Sequence, residues 1–287
     1  MRALTGVNEK EFKVLVPVFA KMLYEEAASK ERQRAVGGGN KSILGDASHK
    51  LFYILFYLKG YPTYDVAGFV LGAVRSACFA WTKKYWPLIE KTLGRTLQLP
   101  KRQIHSVEEF LQLFPGIKDV LVDGTESPLQ RPKRYKAQRR KYSGKKKRHT
   151  RKTQIITDER KRILVVTKGK DGRVPDVKQG EKSGVHRGIP PGTTLWGDKA
   201  YQGLKNRVRQ GGDVRTPHKK PRGKPLPPAY KEENKIISSI RIVVEHARGG
   251  MKRYRAESDI YRNRRCQDDQ MMVVAAGLWN LHLAYAG

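Results

Sequence analysis

Apolar positions in the first ninety-odd residues recur at helical spacing. Phe12, Leu15, Val16, Phe19 and Leu23 form one stripe and predict a helix over residues 7–28. The next stretch, 29–45, is polar and holds Gly37-Gly38-Gly39, which predicts a linker. Leu51, Phe52, Leu55 and Leu58 predict a second helix that stops at Gly60. Pro62-Thr63 then opens a short helix through Phe69, and a break near Gly72 precedes a third helix over 73–93. Short helix, turn and longer helix make the outline of a helix-turn-helix unit. An ordinary three-helix bundle has the same pattern.

The pattern changes after residue 118. Asp119 to Val122 predicts a short apolar strand ending at Asp123-Gly124. Lys152 to Thr157 and Ile163 to Thr167 predict two strands joined by a turn at Asp158–Lys161. A short helix over 175–184, a strand over 193–197, a helix over 199–209 and a brief strand at 214–216 follow. Residues 217–228, PHKKPRGKPLPP, read as irregular. Long helices over 230–254 and 266–284 close the chain. Strands first, then alternation, then helices predict an α/β sheet layer with helices packed on it. The late apolar run Met271–Trp279 is nine residues, too short to span a bilayer.

Charge gives this frame a partner. The 287 residues carry 59 Lys+Arg against 27 Asp+Glu, a formal net charge of +32. Such an excess excludes a dedicated binder of cations and points to a polyanion. Residues 1–117 hold 17 basic and 10 acidic side chains, net +7; residues 118–287 hold 42 and 17, net +25. The densest block, Arg131 to Lys152, has 13 Lys/Arg in 22 residues and no acid. A solvated tail is one reading of such a block. Its position between predicted strands, its tyrosines Tyr135 and Tyr142, and the turn signal Ser143-Gly144 favour an ordered basic hairpin on phosphates. Cys78 and Cys266 have neither metal-ligand nor redox spacing, and the N-terminus has no apolar signal region, so a reduced cytoplasmic protein is expected.

Three carboxylates occupy special places. Asp123 ends the first predicted strand of the second half. Asp198 stands between a strand and a helix, where an N-cap is the plain alternative. Glu245 lies on a helix with Arg241 four residues before it and Lys252 seven after, along one face; a surface Arg–Glu pair is the plain alternative. The apolar neighbours of Glu245 predict a helix packed on a sheet, where a carboxylate needs a counter-charge or a metal. Three such carboxylates can hold hard divalent cations, which prefer oxygen ligands. The sequence holds no GxxxxGK or GxSxG motif, and its seven histidines show no HExxH spacing.

These segments resemble the DDE transposases of bacterial insertion sequences, of the insertion-sequence-five group that shares a domain type with harbinger-like transposases. The matching pieces are VDGTE (122–126), YSGKKKRHT (142–150), WGDKAY (196–201) and RIVVEHARGGMKRY (241–254). The last fits a related pattern of Arg, Glu and Lys at 241, 245 and 252; the Tyr that usually precedes it is Ser238 here. The resemblance, over roughly 46–285, implies a ribonuclease-H-like α/β catalytic domain over 119–287. A helix-turn-helix domain over 46–100, a connector over 101–118 and an N-terminal helix with linker over 1–45 would precede it. It implies Asp123, Asp198 and Glu245 as catalytic residues and ligands of two Mg2+ ions, with Mn2+ able to substitute. It implies double-stranded DNA as partner, both transposon ends and target, and a homodimer or higher oligomer on that DNA.

DNA contacts are expected from Lys145, Lys146, Lys147 and Arg148, from Arg241 and Lys252, and from Arg75, Lys83 and Lys84 on the helix after the turn. Trp196 is read as core, and Glu126 is kept out of the carboxylate set because a strand ending at Asp123 leaves it in the following loop. Two other readings use the same charge: a DNA-binding protein without catalysis, and a metal-dependent nuclease that cuts without joining.

Overall fold

The computed structural model describes residues 1–29, 42–183, 188–207, 213–263 and 268–286. The expected glycine linker, the end of the 199–209 helix and the start of the last helix therefore lie at least partly outside the described residues. In chain order the elements are α1 (Arg2–Thr5), α2 (Glu9–Ala28), α3 (Ala47–Gly60), α4 (Tyr64–Leu71), α5 (Arg75–Arg95), α6 (Val107–Leu113) and β1 (Asp119–Pro128). Next come α7 (Tyr135–Lys141), β2 (Tyr142–Ser143), β3 (Arg148–Asp158), β4 (Ile163–Val166), β5 (Lys170–Asp171), α8 (Asp176–Ser183) and β6 (Thr194–Trp196). A 3-10 helix (Lys199–Arg207), β7 (Asp213–Arg215), α9 (Pro228–Lys252), α10 (Arg255–Ser258) and α11 (Asp268–Tyr285) complete the chain.

The chain forms two compact units. The first contains Met1–Leu99, Met251–Asp259 and residues 266–287, so α11, which the sequence reading grouped with the second half, packs with the N-terminal helices. Three of its helices, α2, α3 and α4, begin at side-chain caps. Asn8 accepts from the Glu11 backbone while Glu11 reaches back to the Asn8 N–H (both 2.8 Å), a capping box. The Asp46 and Thr63 side chains cap α3 and α4 by accepting from the His49 and Val66 N–H groups, without the reciprocal bond. Leu15, Phe19, Leu51, Ile54, Leu55, Leu58, Ile89 and Leu278 are fully buried together.

Helices α4 and α5 are joined by a tight turn at Gly72, which takes the left-handed conformation (φ 62°). Of the aromatic side chains of α5, Tyr85 and Trp86 are buried and Trp81 lies edge-on to Tyr53 at 5.4 Å, while Phe79 stays exposed, edge-on to Tyr64 at 5.6 Å. The turn closes on Gly68, where an added Cβ would lie 2.4 Å from the Ala73 carbonyl oxygen. Gly68→Ala is therefore expected to force the two helices apart. Overpacking of this kind costs about 1–3 kcal/mol, and a lowered thermal midpoint checks it.

The second unit contains Pro100–Gly250 and residues 260–265. Its seven described strands form a mixed sheet of order β2-β3-β1-β6-β7, with β4 and β5 also on β3. β1 pairs antiparallel with β3 and parallel with β6, and β6 pairs parallel with β7. Val120, Val122, Ile156, Leu164, Leu195, Tyr201, Leu204 and Val214 share the core of one sheet face, with Phe110 of α6. The expected basic hairpin is present, with Tyr142 opposite His149 and Ser143 opposite Arg148. The unit is mixed α/β with helices around the sheet, as expected. No helix among the described residues is long and apolar enough to cross a membrane.

Candidate active site

Strand β1 does not stop at Asp123. It runs ten residues to Pro128, pairing with β3 from Val120 onward. Asp123 therefore sits in mid-strand, and Glu126 is in the strand rather than in a loop. The polar run Asp123, Thr125, Glu126 and Ser127 hides the strand in the sequence, because pairing with β3 buries most of it. Alternation then separates the two carboxylates. Val120, Val122, Gly124 and Glu126 face one side of the sheet. Leu121, Asp123 and Thr125 face the other.

On the first side Glu126 and Asp176 share Lys152. The ammonium lies 3.5 Å from Glu126 Oε1 and 3.1 Å from Asp176 Oδ1, with all three side chains largely buried. Thr150 Oγ1 donates to Glu126 Oε2 at 2.8 Å, and Gln154 donates to the Tyr201 hydroxyl at 3.1 Å.

On the second side stands Asp123, 5% exposed. The parallel register of β1 with β6 pairs Leu121 with Trp196. Asp123 and Asp198 each come two residues further along, Asp198 just past the end of β6, and the negative charge of Asp198 reaches Asp123. Gly197 makes the transition, since a Cβ there would lie 2.9 Å from Tyr201 Cβ. Asp198 Oδ1 accepts from the Ala200 N–H at 2.8 Å, so it also caps the 3-10 helix. Trp196 is buried, as expected of a core residue, and its Nε1 donates to Asp119 Oδ1 at 2.6 Å.

Helix α9 supplies the counter-charge. Arg248 Nη1 donates to Asp123 Oδ2 at 2.7 Å. Burial pushes the Asp123 carboxyl above its ordinary range; Arg248 and then Arg241 oppose that rise, and the negative charge of Asp198 adds to it. Arg241 is thus within electrostatic reach of Asp123, and its buried Nε finds no hydrogen-bond acceptor. Arg248 is absent from the sequence expectations. Its spacing, seven residues after Arg241 and three after Glu245, puts it on the same helical stripe and was the available signal.

Glu245 occupies that stripe between the two arginines, but it is exposed. The apolar neighbours that predicted its burial, Val244 and Ala247, turn to the other face and are themselves fully buried. Among the described residues no three His, Cys, Asp or Glu side chains are gathered as a metal-binding group. Asp123 and Asp198 nonetheless suit a hard divalent cation. Both offer oxygen donors, they repel one another, and the buried one needs positive charge; one or two carboxylates plus substrate phosphate suffice for magnesium.

The expected DNA contacts fall into three groups. Arg75 opens α5, exposed and 3.7 Å from Asp65, with Lys83 and Lys84 exposed further along that helix. Lys145, Lys146, Lys147 and Arg148 are all exposed at the tip of the hairpin, where Ser143 Oγ accepts from the Lys146 N–H at 3.2 Å. Lys252 is the last residue of α9 and is partly exposed.

Residues 122–280 match the family model of the DDE superfamily endonucleases, a span that includes Asp123, Asp198 and Glu245. The chain is 31% identical over 286 residues to a protein of Microchaete diplosiphon described as a probable transposase for insertion sequence element IS702. That alignment covers 99% of this chain and 94% of the relative. No solved structure matches the chain. A family match over more than half of the sequence and a relative aligned along almost all of it agree, and the chain belongs to the DDE superfamily of endonucleases.

Proposed function

We propose that this endonuclease is the transposase of an insertion sequence, which cleaves DNA at the ends of its element and joins the freed 3′-hydroxyls to target DNA. The observation that carries the reading is the parallel pairing of β1 with β6, which sets Asp198 beside the buried Asp123 in a strongly basic unit. The strand order supports a ribonuclease-H-like fold: β4, β3 and β1 are antiparallel, and β6 and β7 continue in parallel with β1. The full-length relative described as a probable transposase supports the joining activity.

The family implies a divalent metal, which we take as two Mg2+ ions. When bound they would activate the attacking water or hydroxyl and stabilise the leaving oxygen. Asp123 and Asp198 would hold them, with Glu245 turned inward from α9 as the third carboxylate. Arg248 holds Asp123 in one orientation. Arg241 would donate from its guanidinium to a DNA phosphate, and Lys252 would add a further positive charge. In the first unit α4 and α5 would act as the helix-turn-helix on the terminal inverted repeats, with Arg75, Lys83 and Lys84 toward DNA. Two ends must be held at once, so a homodimer or larger assembly on DNA follows.

The test is incubation with DNA carrying the coding sequence and its flanks, in Mg2+. Cleavage at inverted repeats followed by joining to a second DNA is expected. Cutting without joining would make the protein a nuclease, and binding without cutting a non-catalytic DNA-binding protein.

The hairpin tip gives a further expectation. Replacing Lys145, Lys146, Lys147 and Arg148 together by Gln should weaken binding to all DNA sequences alike. Each lost phosphate contact lowers the slope of log affinity against log salt by about 0.9, so a titration across salt concentrations reads out how many of the four touch the backbone. An unchanged slope would remove the tip from the interface.

A further inference from the structure

The segment after β1 builds a second feature that metal-dependent cleavage does not use. Arg131, Tyr135, Arg139, Tyr142, His149 and Arg173 line an open groove of about 690 Å³, and no carboxylate lines it. Its walls are braced. Gln138 donates to the Pro132 carbonyl at 2.8 Å and accepts from Arg131 at 3.1 Å. The Arg173 N–H donates to the Arg140 carbonyl at 3.2 Å, and Asp171 lies 3.6 Å from Arg140. The two tyrosines are left open, Tyr135 at 70% and Tyr142 at 43% exposure. Tyr142 stands edge-on to His149 at 5.7 Å, and the Arg139 guanidinium lies 6.0 Å from the Tyr135 ring.

We infer that this groove binds an unpaired nucleotide of the DNA being processed. Three guanidinium groups without an acid suit phosphate. Two open phenol rings suit a flat, polarisable partner, and a nucleobase on the same phosphodiester chain supplies one. Within a duplex each base is covered by its neighbours and cannot reach a tyrosine face. Only a single-stranded or extruded base can do so. The groove is of the size that encloses a small ligand.

Its position relative to Asp123 is fixed by the sheet. Strand β3 runs from His149, in the groove, to Ile155, which pairs with Asp123. Six residues of strand span about 20 Å. At about 3.4 Å per nucleotide step in a duplex strand, the unpaired nucleotide lies roughly six steps from the phosphate at Asp123. The inference rests on the reading of DNA as substrate and adds that the DNA is locally unpaired when held.

Two kinds of DNA test it: a short blunt duplex, and the same duplex with a single-stranded flank of a few nucleotides carrying a fluorescent adenine analogue. Two altered proteins accompany wild type. One carries Tyr135→Ala with Tyr142→Ala. The other carries Gly144→Leu, which fills the groove from a position where an added Cβ meets nothing within 4 Å. Both should melt as wild type does, since the changed positions are exposed.

Wild type is expected to bind the flanked duplex roughly five- to 150-fold more tightly than the blunt one, the range for stacking one base, and to alter the fluorescence of the analogue. Both altered proteins should lose that preference and the fluorescence change while binding the blunt duplex as wild type does. Equal binding of the two DNAs by wild type, or an undiminished preference in both altered proteins, would overturn the inference alone. Wild type that binds neither DNA would overturn the DNA-processing reading and the inference with it.

Discussion

Asp123→Asn should remove DNA cleavage without weakening the fold. Burial is the largest influence on this carboxyl and pushes its pKa up, and the pull of Arg248 and Arg241 does not fully offset it. A carboxylic acid whose pKa is raised on folding contributes stability below its unfolded value, near 3.8, and loses it as pH rises through the folded value. At neutral pH the ionised side chain is therefore a net cost to the apo protein. The neutral amide keeps its shape and can still meet Arg248 through its carbonyl. Its thermal midpoint should match or exceed wild type, measured by circular dichroism without added metal. The cleavage rate should fall by about a thousandfold, the upper end for losing one charge-stabilising group at a reacting centre. A midpoint several degrees lower would show that the Arg248 pair outweighs burial.

Lys152→Met should do the reverse. The ammonium serves Glu126 and Asp176 from a position only 10% exposed. Its removal leaves two neighbouring carboxylates with no cation between them. Breaking a buried ion pair by deleting one partner costs about 3–5 kcal/mol, which in a protein of this size lowers the midpoint by roughly 10 °C. Adding Glu126→Gln to the same protein should restore part of the loss, because it removes one of the stranded charges. Since this cluster and Asp123 lie on opposite faces of β1, protein that remains folded should still cleave DNA.

Spacing made the helices readable and made the strands only partly so. α2, α3, α4, α5 and α9 follow apolar stripes that packing requires, and side-chain caps mark the starts of α2, α3 and α4. Only the first half of strand β1 is legible from apolar periodicity, because the rest is polar and buried by pairing. Helix α7 was invisible for the opposite reason: its residues YKAQRRK bury nothing, so no stripe exists. α6 carries a capping signal in its sequence, Ser106 followed by Glu109. Ser106 Oγ accepts from the Glu109 N–H, and the Glu109 carboxylate accepts from the His105 N–H.

At the candidate site, Asp123 and Asp198 could be named from their places at strands, but their approach depends on β1 and β6 being parallel neighbours. That is a matter of register, not of local sequence. Glu245 shows the limit from the other side. Apolar neighbours in sequence lie on a different face of a helix, so they say little about the burial of the residue between them. Arg248 escaped because the contact to Asp123 spans 125 positions, although its helical spacing from Arg241 and Glu245 marked it as part of the same stripe.

The central claim is that these carboxylates form a divalent-metal centre that cuts DNA. Its most direct test is strand cleavage of DNA containing the coding region and its flanks, followed as Mg2+ is titrated in, for wild type, Asp123→Asn, Asp198→Asn and Glu245→Gln. Cleavage should rise with Mg2+, vanish with a chelator, and be lost in each of the three altered proteins while DNA binding persists. Cleavage by wild type in the presence of chelator, or normal cleavage by any of the three altered proteins, would contradict the account.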